Sequence, residues 1–131
     1  MSSIFSKILS GDIPGQIVAQ NESFFAILDI NPLVMGHTLV IPKKETDYIF
    51  DLDAIELGQF FQFAQHVAKS IESVVDCQRV GVAVIGLEVP HAHIHLVPMQ
   101  SMDDINFSRP KLQPGNEALA EMGDKLRASI I

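Results

Sequence analysis

Three of the five histidines fall at alternate positions in one short run, His91-Ala-His93-Ile-His95-Leu-Val97. In a β-strand successive side chains point to opposite faces, so the three imidazoles would share one face and Ala92, Ile94 and Leu96 the other. On a helix, positions i and i+2 diverge, so the spacing carries meaning on a strand. Ile94, Val97 and the closing Pro98 favour that reading. Two chemistries are open to such a row. Three neutral imidazoles and a water can hold a catalytic zinc, with Glu88 as the nearest carboxylate to orient a ligand. Residues two apart are spaced about 6.6 Å along a strand, however, so three in sequence converge poorly on one ion. The second chemistry is attack on phosphorus. A neutral imidazole nitrogen forms a phospho-histidine that water resolves. Its neighbours donate hydrogen bonds to the non-bridging oxygens and protonate the leaving group. Incidental histidines on a wet face are the bland third reading, and their register against an apolar opposite face speaks against it.

The rest of the chain must position that row. Ser3 is placed to cap a helix over Ile4 to Ser10, and Gly11 to end it. Ile17–Ala19 and Phe24–Leu28 read as a hairpin closed by Gln20-Asn-Glu-Ser23. His37–Ile41 is a third strand, stopped by Pro42. The polar stretch from Lys43 to Asp53 is expected to be ordered only locally. Asp53 can cap a long helix to about Val75. Leu57, Phe60, Phe61, Ala64, Val67, Ala68, Ile71, Val74 and Val75 would form its buried face, and Gln59, Gln62, His66, Ser70 and Ser73 its wet face. Val80 to Ile85, apolar except at Gly81, predicts a strand covered on both sides. His91 to Val97 is the fifth strand. Asn116 can cap a last helix bearing Leu119, Met122, Leu126 and Ile130. The order α-β-β-β-α-β-β-α, with short connections between strands, gives an α+β class. It is built on about five mainly antiparallel strands, one long helix and short terminal helices.

At 131 residues this reads as a single domain spanning 1–131, with a 47% hydrophobic composition to supply its core. Sixteen acidic residues against nine basic give a net charge of −7. That argues against a nucleic-acid or anionic-membrane partner. The single Cys77 excludes an intrachain disulfide and fits a reducing compartment. With no membrane-length apolar run and no signal-peptide core, a cytoplasmic protein is expected.

The run His-apolar-His-apolar-His-apolar-apolar resembles the signature of the histidine triad (HIT) superfamily of nucleotide hydrolases and transferases. Ser3-Ile-Phe-Ser-Lys-Ile-Leu-Ser-Gly-Asp-Ile-Pro14 is similar to that family's opening helix. Leu28-Asp-Ile-Asn-Pro32 and Gly36-His-Thr-Leu-Val-Ile-Pro-Lys43 are similar to its central strand segments. The likeness covers about residues 1–98, leaving 99–131 as a C-terminal segment and helix. It implies a HIT-like fold, a homodimer, and hydrolysis of a purine nucleoside phosphoramidate or dinucleoside polyphosphate. By this resemblance His93 is the nucleophile, His95 binds the α-phosphate, His91 orients the row, and His37 is a fourth histidine of the site. Asp29 would bind the ribose hydroxyls, and Phe5, Ile8, Ile27 and Ile30 would wall the base pocket. Plain core packing is the competing explanation for the four apolar residues, and turn formation for Asp29.

The chain also departs from the family pattern. Where some members bind structural zinc through Cys-x-x-Cys and a histidine, this sequence has Ser3, Ser6 and Glu45, so no metal or other cofactor is expected. Where phosphoramidase-type members carry Gln and Ser or Thr before the triad, this sequence has Leu87 and Glu88. Leu87 offers no hydrogen bond. Glu88 would repel a nearby phosphate, relay a proton, or bind a basic leaving group, and as a nucleotide-contacting residue it competes with a plain solvated turn. This departure keeps a nucleotide-binding protein with weak or no catalysis as the alternative. A metal-dependent hydrolase built on the histidine row is the other. The roles of Arg109 and Lys111 in the C-terminal segment are open.

Overall fold

The computed structural model describes residues 2–130. One five-stranded antiparallel sheet carries the fold. Its strands are β1 (Ile17–Gln20), β2 (Phe24–Leu28), β3 (Thr38–Pro42), β4 (Arg79–Ala83) and β5 (Ile94–Met99), in the order β1-β2-β3-β5-β4. Thus β5, which ends the histidine run, lies inside the sheet and β4 at its edge.

Strand alternation sorts the side chains into two layers. Val18, Phe24, Ala26, Leu28, Val40, Ile94 and Leu96 face the long helix α2 (Ala54–Val74), packing against Phe60, Phe63, Ala64, Val67 and Ile71. Phe25, Ile27, Leu39 and Ile41 face the short helix α1 (Ile4–Ser10), packing on Phe5 with Ile8, Leu9 and Val89 at the margin. β3 and β5 pair Leu39 with His95, which puts His95 on the α1 side of the sheet. Ser3 caps α1, accepting from the Ser6 N–H at 3.1 Å, and Gly11 at φ 86° closes it. Asp53 caps α2 by accepting from Glu56 N–H at 2.8 Å.

Six expectations need correction. β4 is an edge strand, not a covered one, and Val82 is 53% exposed. It pairs only with β5, because nothing among the described residues lies beyond it. The fifth strand begins at Ile94, so His91 and His93 precede the paired region. On α2, Phe61 is largely exposed, whereas Phe63 is buried beside Phe24 at a ring distance of 5.9 Å. Ser70 is buried because the last helix, α3 (Gly115–Ser129), lies over it, and its hydroxyl donates to Ser129 O. α3 begins at Gly115 after Pro114, not at an Asn116 cap, and buries Leu119 and Leu126. The stretch after β3 is better ordered than expected, since Ile49 and Leu52 are buried around a 3₁₀ turn.

Candidate active site

The hydrogen bonds around the four histidines determine which ring nitrogen carries each proton. His93 Nδ1 lies 2.8 Å from His91 O. A carbonyl only accepts, so Nδ1 carries the hydrogen and Nε2 keeps its lone pair. Nε2 has no protein partner, and every fully buried polar side-chain atom among the described residues has one, so Nε2 is open. His37 Nδ1 accepts the Leu33 N–H at 3.0 Å, which leaves the hydrogen on Nε2. That Nε2–H donates to His95 Nδ1 at 3.0 Å. His95 therefore carries its hydrogen on Nε2, free to donate to a ligand. His91 Nε2 donates to Pro42 O at 2.6 Å, and its Nδ1 accepts from the Ser3 hydroxyl at 2.6 Å. One bare nitrogen and one N–H thus face outward from adjacent rings, whose centroids are 4.9 Å apart.

The electrostatics agree with neutral rings. Burial pushes His37 down to about 4, assisted by Lys111 and His93. Burial pushes His95 down to about 3, assisted by His37, His93 and Lys111. His93 is also lowered, by burial first. Asp29 is raised by burial, against the opposing pull of the Asn31 N–H that its Oδ1 accepts. A desolvated imidazole resists protonation, so these rings keep lone pairs and single N–H groups at neutral pH.

A cavity of about 240 Å³ opens on this pair. Asp29, Glu88, Val89, His93, His95, Phe107 and Lys111 line it, with Ile85, Gly86 and Leu87 at the rim. The structure brings His93, His95, Asp29 and Glu88 together around it, with His37 buried behind His95. His91 stands behind His93 and is fully buried, acting through its carbonyl rather than facing the cavity. Phe5 meets the His93 ring edge-on at 4.9 Å, while Ile8 and Ile27 back it in the core layer. Ile30 stands apart from this cavity: it is 53% exposed and opens on a separate hollow with Pro14, Gly15 and Leu28, because the turn after Asp29 swings it outward. Leu87 is 88% exposed and offers nothing polar. Phe107 and the backbone groups of Leu33, Pro42 and His91 carry no residue-type signal that links them to the histidine run. Phe107 lies 4.8 Å from His95 ring to ring, and only the fold brings it there.

A family model described as the HIT domain matches residues 10–102. An uncharacterized HIT-like protein of Methanocaldococcus jannaschii is 34% identical over 128 residues, covering 91% of this chain and 97% of its own. The chain belongs to the HIT domain family. An adenosine 5'-monophosphoramidase of Schizosaccharomyces pombe is 29% identical to this HIT domain, covering 99% of each chain. The crystal structure of a Zn-bound histidine triad family protein from Mycobacterium smegmatis superposes with a TM-score of 0.83 at 32% identity, covering 99% of this chain and 94% of that one. The order of the five antiparallel strands and three helices therefore stands on a HIT fold.

Two groups of residues in this HIT domain resemble metal sites, and the donors of each fit an ion poorly. Ser3, Ser6, Glu45 and His91 do meet, but as a hydrogen-bonded cluster. Glu45 Oε1 accepts from the Ser3 N–H and, at 2.7 Å, from the Ser6 hydroxyl. Those contacts hold the Glu45 carboxyl down to about 2, the Ser3 N–H contributing most. Hydroxyls are poor zinc ligands, and the one imidazole nitrogen in reach is already capped by Ser3. Asp29, His37 and His95 bring ligand atoms within 4.8 Å of one another. The Leu33 N–H nevertheless occupies His37 Nδ1, so a neutral His37 has no lone pair at Nε2 to give a cation. Among the described residues no helix is long and apolar enough to cross a membrane.

Proposed function

We propose that this HIT domain hydrolyses nucleoside 5'-phosphate derivatives, purine nucleoside phosphoramidates or dinucleoside polyphosphates, and releases the nucleoside monophosphate. The observation that carries this reading is the tautomer of His93, whose Nδ1–H is tied to His91 O and whose Nε2 lone pair is open. Nε2 attacks the α-phosphorus, and the new N–P bond forms as the bond to the leaving atom breaks. The electron pair goes to the leaving atom, which takes up a proton from solvent, and the water that resolves the intermediate returns one. The ring becomes cationic at that moment, and the His91 carbonyl dipole on Nδ1–H stabilises it. His95 Nε2–H donates to a non-bridging oxygen. Water then attacks phosphorus, the N–P bond breaks, and neutral His93 is restored. Asp29 would bind the ribose hydroxyls, with Phe5, Ile8 and Ile27 behind the base. The relative named as an adenosine 5'-monophosphoramidase supports the substrate class.

The test is single-turnover chemistry on adenosine 5'-phosphoramidate with labelled nucleotide. The native protein should form a base-stable, acid-labile nucleotidyl adduct. His93→Ala should form none and lose at least about 10³-fold in rate. Unchanged turnover in His93→Ala would remove the proposal. A second reading, a nucleotide-binding protein with weak or no turnover, is favoured by Leu87 and Glu88 at the rim, where neither donates to a leaving group. Calorimetry showing AMP binding without turnover of any substrate in a phosphoramidate and polyphosphate panel would establish it.

We also infer a homodimer. The free edge of β4 with exposed Val82, Val84 and Ile85, beside Phe61 of α2, leaves an apolar face that a lone chain would hold against water. Sedimentation equilibrium at micromolar concentration should show twice the chain mass, and a single-chain mass would refute the pairing.

A further inference from the structure

We propose that the segment from Asn106 to Leu112 is a positioning strap, with Arg109 as its anchor, and that it selects the tautomer of the His37–His95 pair. The inference rests on the reading that His95 must offer an N–H to the substrate phosphate.

The strap grips both peptide units that flank Leu33. Leu112 N–H donates to Pro32 O at 2.9 Å, and Arg109 Nη2 donates to Leu33 O at 2.8 Å. The first of these peptide units is the one whose N–H donates to His37 Nδ1. A hydrogen bond accepted at the carbonyl of a peptide strengthens its N–H as a donor. The other guanidinium nitrogen is pinned by two carboxylates, Asp103 Oδ2 at 3.2 Å and Asp104 Oδ1 at 3.3 Å. Asp104 is itself fixed by the Gln100 and Ser101 N–H groups. Phe107 closes the strap over the pair, with ring distances of 4.8 Å to His95 and 6.3 Å to His37.

The consequence for the pair is binary. With the Leu33 N–H on Nδ1, His37 holds its proton on Nε2, so His95 must accept at Nδ1 and present Nε2–H to the cavity. If that N–H turns away, His37 can carry its proton on Nδ1 and accept at Nε2. His95 then donates from Nδ1, and a bare lone pair at Nε2 faces the phosphate oxygens and repels them. Arg109 touches neither ring. It acts through Leu33, so it is a positioning residue.

The test reads the tautomers directly, in the full chain without substrate. Histidine side-chain ¹⁵N–¹H correlation spectra distinguish Nδ1–H from Nε2–H. In the native protein His37 and His95 should both show the Nε2–H pattern, and His93 the Nδ1–H pattern. Arg109→Met keeps the aliphatic stem and deletes the donors. It should bring an Nδ1–H population to His37 and His95 while His93 stays unchanged. Arg109→Lys, which keeps a donor for Leu33 O, should restore most of the native pattern. If the Met variant does not fold, Arg109→Leu is read in the same way. Native tautomers at both His37 and His95 in the folded variant would overturn the strap. The same variant should lose roughly tenfold in kcat with little change in KM, below the 10²–10³ that loss of a direct donor costs. The spectra need no turnover, so a protein inactive toward the whole phosphoramidate and polyphosphate panel but with strap-dependent tautomers would sink the hydrolase reading and leave the strap standing.

Discussion

Ser3→Ala tests how the opening helix supports the histidines. The Ser3 hydroxyl has two functions. It accepts the Ser6 N–H as the cap of α1, at 3.1 Å, and it donates to His91 Nδ1, at 2.6 Å. Loss of a serine cap costs about 1 kcal/mol. Loss of the second bond strands an acceptor on a ring that is wholly buried, which costs about 1–3 kcal/mol. The variant should therefore be about 2–4 kcal/mol less stable. At about 4 °C per kcal/mol for a domain of this size, Tm should fall by roughly 12 °C. Ser6→Ala is the control, because it loses an exposed bond to Glu45 at 2.7 Å and a long 3.4 Å contact with the Ser3 hydroxyl, leaves the Ser3–His91 bond in place, and should cost under about 1 kcal/mol. The assay is urea unfolding at one protein concentration for both variants, since association adds to apparent stability. Activity should fall less than about tenfold, because the His91 carbonyl that orients His93 is retained. If Ser3→Ala is no more destabilising than Ser6→Ala, the buried Ser3–His91 bond has no weight and the argument fails.

Stability should fall on mild acidification. His37 and His95 titrate at about 4 and about 3 in the folded chain and near 6.5 when unfolded. Between those values the unfolded chain binds protons that the native chain refuses, so stability drops as pH falls below 6.5. At pH 5 each ring costs about 2 kcal/mol, from 1.36 kcal/mol per pH unit, while Asp29, raised, works in the opposite sense. Urea midpoints that stay flat from pH 7.5 to 5 would refute the neutral pair. At the sheet edge, Val82→Glu should convert the dimer to monomer in sedimentation runs by placing a charge on the apolar face. A dimer that survives the charge would show that β4 is not the contact.

Short-range pattern in the sequence was enough for the elements and for the row of histidines. A Ser or Asp before an apolar run, Gly11 after one, and alternation within strands are local signals, so α1, α2, β2 and β3 were legible within a residue or so. The triad was legible because period-two spacing has one meaning on a strand. The chemistry of the row was not. Whether His93 attacks through Nε2, and whether His95 offers a hydrogen or a lone pair, depends on a carbonyl at residue 91 and an amide at residue 33. Every residue has those groups, so residue type cannot mark them. The tertiary structure also decided that β4 is an edge, that Ile30 turns outward, and that Arg109 reaches Leu33 across 76 positions. Burial and hydrogen-bond partners come from what the chain brings alongside, and a one-dimensional pattern holds no record of that.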